Sequence, residues 1–214
     1  MDFSCVKNII FDLDGTLIDS SEGVIEATNY ALVTLGQAAR RPDEIKRFIG
    51  HPLEDMFTSF TDAPLDGLKR AFQEKARHSV VASAQPMPGV EAVLVLLRKA
   101  GYRMAIATTK FAVHTEAIML KLGWQDYFAA TASGDEVARV KPAPDLLLLA
   151  LRRLDADPRD TVMVGDTVND VLAARTVGMP VIAVKSPFGD ADLAGHNPDL
   201  VVAAMADLKH IFKV

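Results

Sequence analysis

A chain of 214 residues, half of them hydrophobic, can bury one large core or a core domain with a smaller insertion, which argues against disorder. Its net charge of −5 and pI near 5.5 argue against nucleic acid or an anionic membrane as partner, so anions must be held by local lysines, backbone N–H groups and metal. The single cysteine, Cys5, excludes an internal disulfide, fits a reducing compartment, and is expected as a small buried hydrophobe near the first strand.

Residues 6–11 read as a buried strand that ends in Asp12-Leu13-Asp14-Gly15-Thr16-Leu17-Ile18-Asp19. Buried strands seldom end in two carboxylates one residue apart, because unpaired like charges are costly there unless a cation neutralises them. Gly15 lets the backbone turn sharply and Thr16 can hydrogen-bond the loop. At the carboxyl end of a parallel strand such a loop opens onto the crevice where α/β sheets bind ligands. The apolar run leads straight into these acidic residues, so no signal peptide is expected, and the run at 146–151 is too short to cross a bilayer. A cytoplasmic protein is the expectation.

After the acidic loop the period changes. Val24, Ile25, Thr28, Ala31, Leu32 and Leu35 trace one helix face, with Asp19 or Ser20 to cap it and Gly36 at its end. Helical stretches follow near 42–48, 53–60 and 64–83, with no strand among them. Beyond the stiff link Gln85-Pro86-Met87-Pro88-Gly89 the chain alternates. A helix carrying Val90, Val93, Leu94 and Leu97 precedes a strand at 102–107; a helix at 113–122, closed by Gly123, precedes a strand at 127–131. A helix after Pro144 then leads to a strand at 161–164, a helix ended by Gly178 and a strand at 181–184. Such alternation builds an α/β fold, a Rossmann-like doubly wound parallel sheet covered on both faces.

Four strand ends or loops then share one sheet edge. They carry Asp12 and Asp14; Thr108 and Thr109; Lys141-Pro142; and Gly165-Asp166-Thr167-Val168-Asn169-Asp170. Together these segments resemble the four motifs of the haloacid dehalogenase superfamily in its phosphatase branch, over the whole chain. The resemblance implies a core domain of residues 1–19 and 84–214, with residues 20–83 as a helical cap inserted after the first strand. Asp12 is the expected nucleophile, forming an aspartyl-phosphate, and Asp14 the general acid and then base. In the dehalogenases the position two after the nucleophile is not an acid, so Asp14 points to phosphoryl transfer.

Asp12, the carbonyl of Asp14, and Asp166 are hard oxygen donors that suit Mg²⁺, with Asp170 in the ligand set or one step behind it. Thr108 is expected to offer hydroxyl and backbone N–H to phosphate, beside Thr109, which stands where the phosphatase pattern often has asparagine. Lys141 supplies a fixed positive charge, with Lys110 as a rival. Gly50-His51-Pro52-Leu53-Glu54-Asp55 resembles the cap loop of phosphoglycolate phosphatase-like enzymes, and Lys46, Arg47 and His51 are the polar cap candidates. His78, His114, His196 and His210 lack metal-ligand spacing and read as structural or surface residues, while Trp124, Tyr127 and Phe128 are expected to pack under the sheet.

The expected function is Mg²⁺-dependent hydrolysis of a small phosphorylated metabolite, phosphoglycolate-like, by a monomer or homodimer. The alternatives are a phosphomutase of the β-phosphoglucomutase kind and, ranked lower, phosphonoacetaldehyde hydrolysis through Lys46 or a non-catalytic metabolite-binding protein.

Overall fold

Period-two alternation along the strands sends successive side chains into two different cores. Ile9 and Phe11, Met104 and Ile106, Val162 and Val164, and Ile182 and Val184 belong to one buried cluster. Ile10, Ala105 and Ala107, Met163, Val181 and Ala183 belong to the other. The computed structural model describes residues 3–190 and 192–214. Met1, Asp2 and Ala191, which the expected core domain spans, lie outside the described residues.

The chain runs β1 (Asn8–Phe11), β2 (Ile18–Asp19), α1 (Ser21–Thr34), α2 (Pro42–Lys46), α3 (Leu53–Phe60), α4 (Leu65–Ser83), β3 (Gln85–Pro86) and α5 (Val90–Lys99). It continues through β4 (Arg103–Ala107), α6 (Ala112–Leu122), β5 (Ala130–Ala132), α7 (Asp145–Leu154) and β6 (Thr161–Gly165). The remainder is α8 (Val168–Thr176), β7 (Val181–Val184), β8 (Leu200–Val202) and α9 (Leu208–Ile211). Six strands form one sheet in the order β5-β4-β1-β6-β7-β8, every pair parallel. This is the doubly wound α/β fold that the alternation implies.

β1 is central, with Phe11 level with Ile106 of β4 and Val164 of β6. The connections depart to opposite sides of β1, so its carboxyl end lies at the switch point where such sheets open a crevice. Ile9, Ile10 and Phe11 are fully buried. Each contributes roughly 1.5–3 kcal/mol, which anchors the strand that carries the two aspartates. Helices α5, α6 and α9 cover one face through Leu94, Ile118 and Leu208, and α7 and α8 cover the other through Leu147, Ala150 and Val171.

The helical segment joins the first face. Leu32, Phe57 and Phe72 belong to the same cluster as Phe11 and Leu17. α1 packs on α4 closely because a Cβ on Gly23 would sit 2.3 Å from the Ser79 carbonyl oxygen. There the Ser79 hydroxyl donates to the Gly23 carbonyl at 3.0 Å. Antiparallel pairing of β2 with β3 draws the two ends of the segment together. Lys121 of α6 donates from Nζ to the carbonyls of Val81, Ala82 and Ala84 at 2.6–3.0 Å, satisfying groups that the end of α4 leaves open.

Several expectations need correction. Cys5 is exposed, not buried: Phe3 and Val6 take the buried places around a turn closed by Val6 N–H on the Phe3 carbonyl at 3.0 Å. β5 begins at Ala130, because Tyr127 N–H closes a turn on the Trp124 carbonyl at 3.0 Å before the strand can start. Trp124 and Phe128 are buried in the first cluster, and Tyr127 is partly buried against it. β8 and α9 went unanticipated, being only three and four residues long. Among the described residues no helix is long and apolar enough to cross a membrane.

Candidate active site

The Asp12 N–H extends the ladder of β1 to the Val164 carbonyl at 2.9 Å, so the first aspartate is held by the sheet itself. The next residues close a tight loop, with Gly15 N–H on the Ile18 carbonyl at 2.8 Å. Gly15 adopts φ +88°, and a Cβ there would meet the Asp166 carboxylate at 2.1 Å. Only glycine permits both the turn and that approach.

At the end of β6, Thr167 caps α8. Its N–H and hydroxyl donate to Asp170 Oδ2 at 3.0 and 2.8 Å. Asp166 is equally tied: Oδ1 accepts from Thr16 Oγ1 at 2.8 Å and Oδ2 from Ser186 Oγ at 2.6 Å. Lys141 joins the groups. Its Nζ donates to Asp12 Oδ1 at 2.5 Å, Asp170 Oδ1 at 2.6 Å and the Ala107 carbonyl at 2.9 Å, in full burial. The peptide between Lys141 and Pro142 is cis.

Burial would drive the Lys141 pKa down, yet the carboxylates of Asp12 and Asp170 outweigh it and hold the value above the ordinary lysine range. Burial pushes Asp12 well above the usual carboxylate range, Asp170 and Asp166 add to the effect, and Lys141 opposes it. Burial, then Asp170, raises Asp166 to about 7, against the hydrogen bonds from Ser186 and Thr16. Carboxylate oxygens of Asp12, Asp166 and Asp170 lie within 4.8 Å of one another. With one ammonium among three carboxylates, a divalent cation would complete the charge balance. Asp12 Oδ2 is buried with no hydrogen-bond partner. An orphaned oxygen in an all-oxygen donor set fits a hard cation.

Asp14 stands apart from this acidic group. Its Oδ1 accepts from Ser20 Oγ at 2.5 Å and its Oδ2 lies 3.1 Å from Lys110 Nζ. Its carboxylate is thus free of the acidic group, and only its backbone carbonyl remains for the expected metal role. Ser20 spends its hydroxyl here, leaving Asp19 to accept the Ser21 N–H at 2.8 Å at the start of α1.

Thr108 needs a correction: its N–H is committed to the Ala132 carbonyl at 2.9 Å, so only the hydroxyl remains for an anion. That hydroxyl accepts from Lys110 N–H at 3.1 Å and keeps its own proton to donate. Thr109 lines a cavity of ≈ 60 Å³ beside Asp14, together with Lys110, His114 and apolar side chains of the helical segment.

The cap candidates separate. His51 pairs across to the sheet domain, with Nδ1 3.2 Å from Asn169 Nδ2 and Nε2 3.8 Å from Asp190 Oδ1. Lys46 lies over the Phe188 ring at 5.8 Å. Sequence reasoning missed Ser186 and undervalued Lys110. Ser186 comes two residues after the strand at 181–184 and so was findable as a hydroxyl near one more strand end.

Comparison with known proteins agrees with this geometry. Residues 9–184 match the family described as haloacid dehalogenase-like hydrolase. The phosphoglycolate phosphatase of Agrobacterium fabrum is 31% identical over 93% of this chain and 89% of its own length. The pyrophosphatase PpaX of Bacillus velezensis is 34% identical over 96% of both. Among solved structures, a haloacid dehalogenase-like hydrolase from Streptococcus pneumoniae superposes with a TM-score of 0.86 at 28% identity, over 97% of this chain and 99% of that one. CbbY from Rhodobacter sphaeroides, solved in complex with phosphate, gives 0.82 at 26% identity over 98% and 100%. The chain therefore belongs to the haloacid dehalogenase-like hydrolase family and is an enzyme of its phosphatase kind, a phosphoric monoester hydrolase.

Proposed function

We propose that the protein is a Mg²⁺-dependent phosphatase that hydrolyses a small phosphomonoester, of the size of phosphoglycolate, through an aspartyl-phosphate on Asp12. The observation that carries this reading is the contrast within one side chain: Lys141 pins Asp12 Oδ1, while the buried Oδ2 has no partner. Asp12, Asp166 and the carbonyl of Asp14 would hold Mg²⁺, with Asp170 behind them. When bound, the ion neutralises the acidic group and charge on the phosphoryl oxygens.

The residues of the chain carry the steps. An Asp12 carboxylate oxygen attacks phosphorus as the ester P–O bond breaks, and Asp14 gives its proton to the departing oxygen. Asp14 then takes a proton from water, whose oxygen attacks the aspartyl-phosphate and releases inorganic phosphate with Asp12 restored. Lys141 balances charge beside the nucleophile, and the hydroxyls of Thr108 and Thr109 orient phosphoryl oxygens. Residues 20–83 act as the cap that excludes water, with His51 bridging to Asn169 as one of its ties.

The relatives named phosphoglycolate phosphatase and pyrophosphatase support phosphate release as the outcome. The test is phosphate release from a panel of phosphoglycolate, sugar phosphates, nucleotides and pyrophosphate, with and without Mg²⁺. Metal-dependent release from a small monoester is expected. Isomerised sugar phosphate without release would identify a mutase and overturn the hydrolase reading.

A further inference from the structure

Beyond β7 the chain forms a short loop, residues 186–190, that wraps the Asp166 end of β6 and has no role in the reaction above. The loop starts from a fixed point, since Lys185 N–H donates to the Val202 carbonyl of β8 at 3.0 Å. It ends on two more. Asp190 N–H donates to the Asp166 carbonyl at 3.2 Å, and Asp190 Oδ2 accepts from Val168 N–H, at the start of α8, at 2.6 Å. Between these ties the backbone lies hard against Asp166: a Cβ on Gly189 would sit 2.4 Å from its carbonyl oxygen and 3.1 Å from its Oδ2.

Within this frame the Ser186 hydroxyl has one direction open to its proton. Its oxygen accepts from Phe188 N–H at 3.1 Å and from Gly189 N–H at 2.8 Å, which occupies both lone pairs. The proton therefore goes to Asp166 Oδ2 at 2.6 Å, a length typical of a hydroxyl on a carboxylate. On the other side Thr16 Oγ1 donates to Asp166 Oδ1 at 2.8 Å. Each oxygen of this fully buried carboxylate gives one acceptor site to a hydroxyl and keeps another for a cation. Rotation of the group would break the bond at both ends.

We propose that Ser186 is a positioning residue of the metal centre, its hydroxyl fixing the Asp166 carboxylate in the orientation in which a divalent cation takes it up. Ser186 acts through Asp166 and lies in a loop that none of the four motif segments contains. The inference rests on the Mg²⁺ part of the hydrolase reading above.

The experiment is calorimetric titration of the metal-free protein with Mg²⁺ and with Mn²⁺, in the unsubstituted chain, Ser186→Ala, Ser186→Thr and Phe188→Leu, with circular dichroism to verify folding. Ser186→Ala removes the donor and is expected to weaken both ions by about 10–100-fold, and the Mg²⁺ needed for half-maximal phosphate release should rise in parallel. Ser186→Thr keeps the hydroxyl and should stay within about threefold of the unsubstituted protein. Phe188→Leu controls for the shape of the loop: it alters the ring that lies 5.8 Å from Lys46 Nζ of the helical segment and leaves the Ser186 hydroxyl, so metal affinity should hold. If Ser186→Ala does not fold, Ser186→Cys takes its place, and its weak thiol donor should weaken binding by a smaller factor. Unchanged affinity in the folded alanine or cysteine variant, or equal weakening in Ser186→Thr or Phe188→Leu, would overturn the inference and leave the hydrolase standing. An unsubstituted protein that binds the ions and releases no phosphate would overturn the hydrolase reading and leave Ser186 in its place. One that binds neither ion would overturn the Mg²⁺ reading and the inference together.

Discussion

The acidic centre and the cavity beside it lie on either side of Asp14 and are built in opposite ways. In the centre, oxygens of Asp12, Asp166 and Asp170 are tied by Thr16, Lys141, Thr167 and Ser186, leaving Asp12 Oδ2 as the buried side-chain atom without a partner. In the cavity, apolar side chains make most of the wall. Charge transfer requires groups already oriented before the reaction, so directional bonds dominate there. Selection among small molecules is a matter of shape and a single polar contact, which non-directional packing supplies. A substitution in the centre should therefore cost chemistry or stability heavily, and one that only loosens the helical segment should cost little.

The largest effect is expected from Asp12→Asn, which removes the proposed nucleophile: phosphate release should fall by about 10⁴-fold or more, with no acid-quenched phosphoenzyme. A near-normal rate would break the assignment. Asp14→Asn should slow phosphoenzyme formation from alkyl phosphates by about 10²–10⁴-fold and from aryl phosphates, with their better leaving groups, much less. Equal slowing of both would remove the acid role.

Lys141→Ala leaves the carboxylates of Asp12 and Asp170 facing each other in full burial without their ammonium. A loss of about 3–5 kcal/mol in denaturant unfolding of the metal-free protein is expected, partly recovered by Mg²⁺. A metal-free stability unchanged by the substitution would contradict the charge balance drawn for the centre.

Metal removal sharpens the same point through pH. Asp12 and Asp166 are raised in the folded state, Asp166 to about 7, whereas unfolded aspartates titrate near about 3.9. Between those values the folded state binds more protons than the unfolded one, so metal-free stability should fall as pH rises from about 4 to 7, by up to about 1.4 kcal/mol per unit for each carboxylate. Saturating Mg²⁺ favours the ionised forms and should flatten the slope. Melting curves across that range decide it, and stability that rises with pH in the metal-free protein would contradict the assignment.

The smallest effect belongs to the helical side. Lys121→Met removes an exposed ammonium from the last carbonyls of α4, a change expected to cost about 0.3–1 kcal/mol. A loss as large as that of Lys141→Ala would show that the two regions are not held as differently as the bonding suggests.

Much of the site was legible because its residues sit at strand ends, where hydrophobic alternation locates them within a residue or two. Asp12, Thr108 and Asp166 each follow a strand whose apolar run is plain in the chain, and Lys141 precedes α7 in a proline-bounded loop. What a group bonds to was less legible. Thr108 N–H was expected at a phosphate and belongs to the sheet, and Ser20 was expected at a helix cap and bonds Asp14. Lys110 and Lys141 looked like competitors for one role, yet each pairs with a different aspartate. Short elements escaped as well, since three residues of β8 hold too little pattern to stand out from a loop.

The sequence by itself determined the strand–helix alternation, the two-sided core and the order of the acidic, hydroxyl and lysine segments, because periodicity and turn chemistry are local properties of the chain. Only the tertiary structure decided that Asp12 Oδ2 is left without a partner, that Asp14 answers to Lys110 and Ser20, and that a cavity lined mostly by apolar side chains lies beside Asp14. Those outcomes depend on side chains from distant segments meeting in three dimensions, as when Lys141 crosses to Asp12 over 129 positions of the chain. Spacing along the chain carries no record of such meetings.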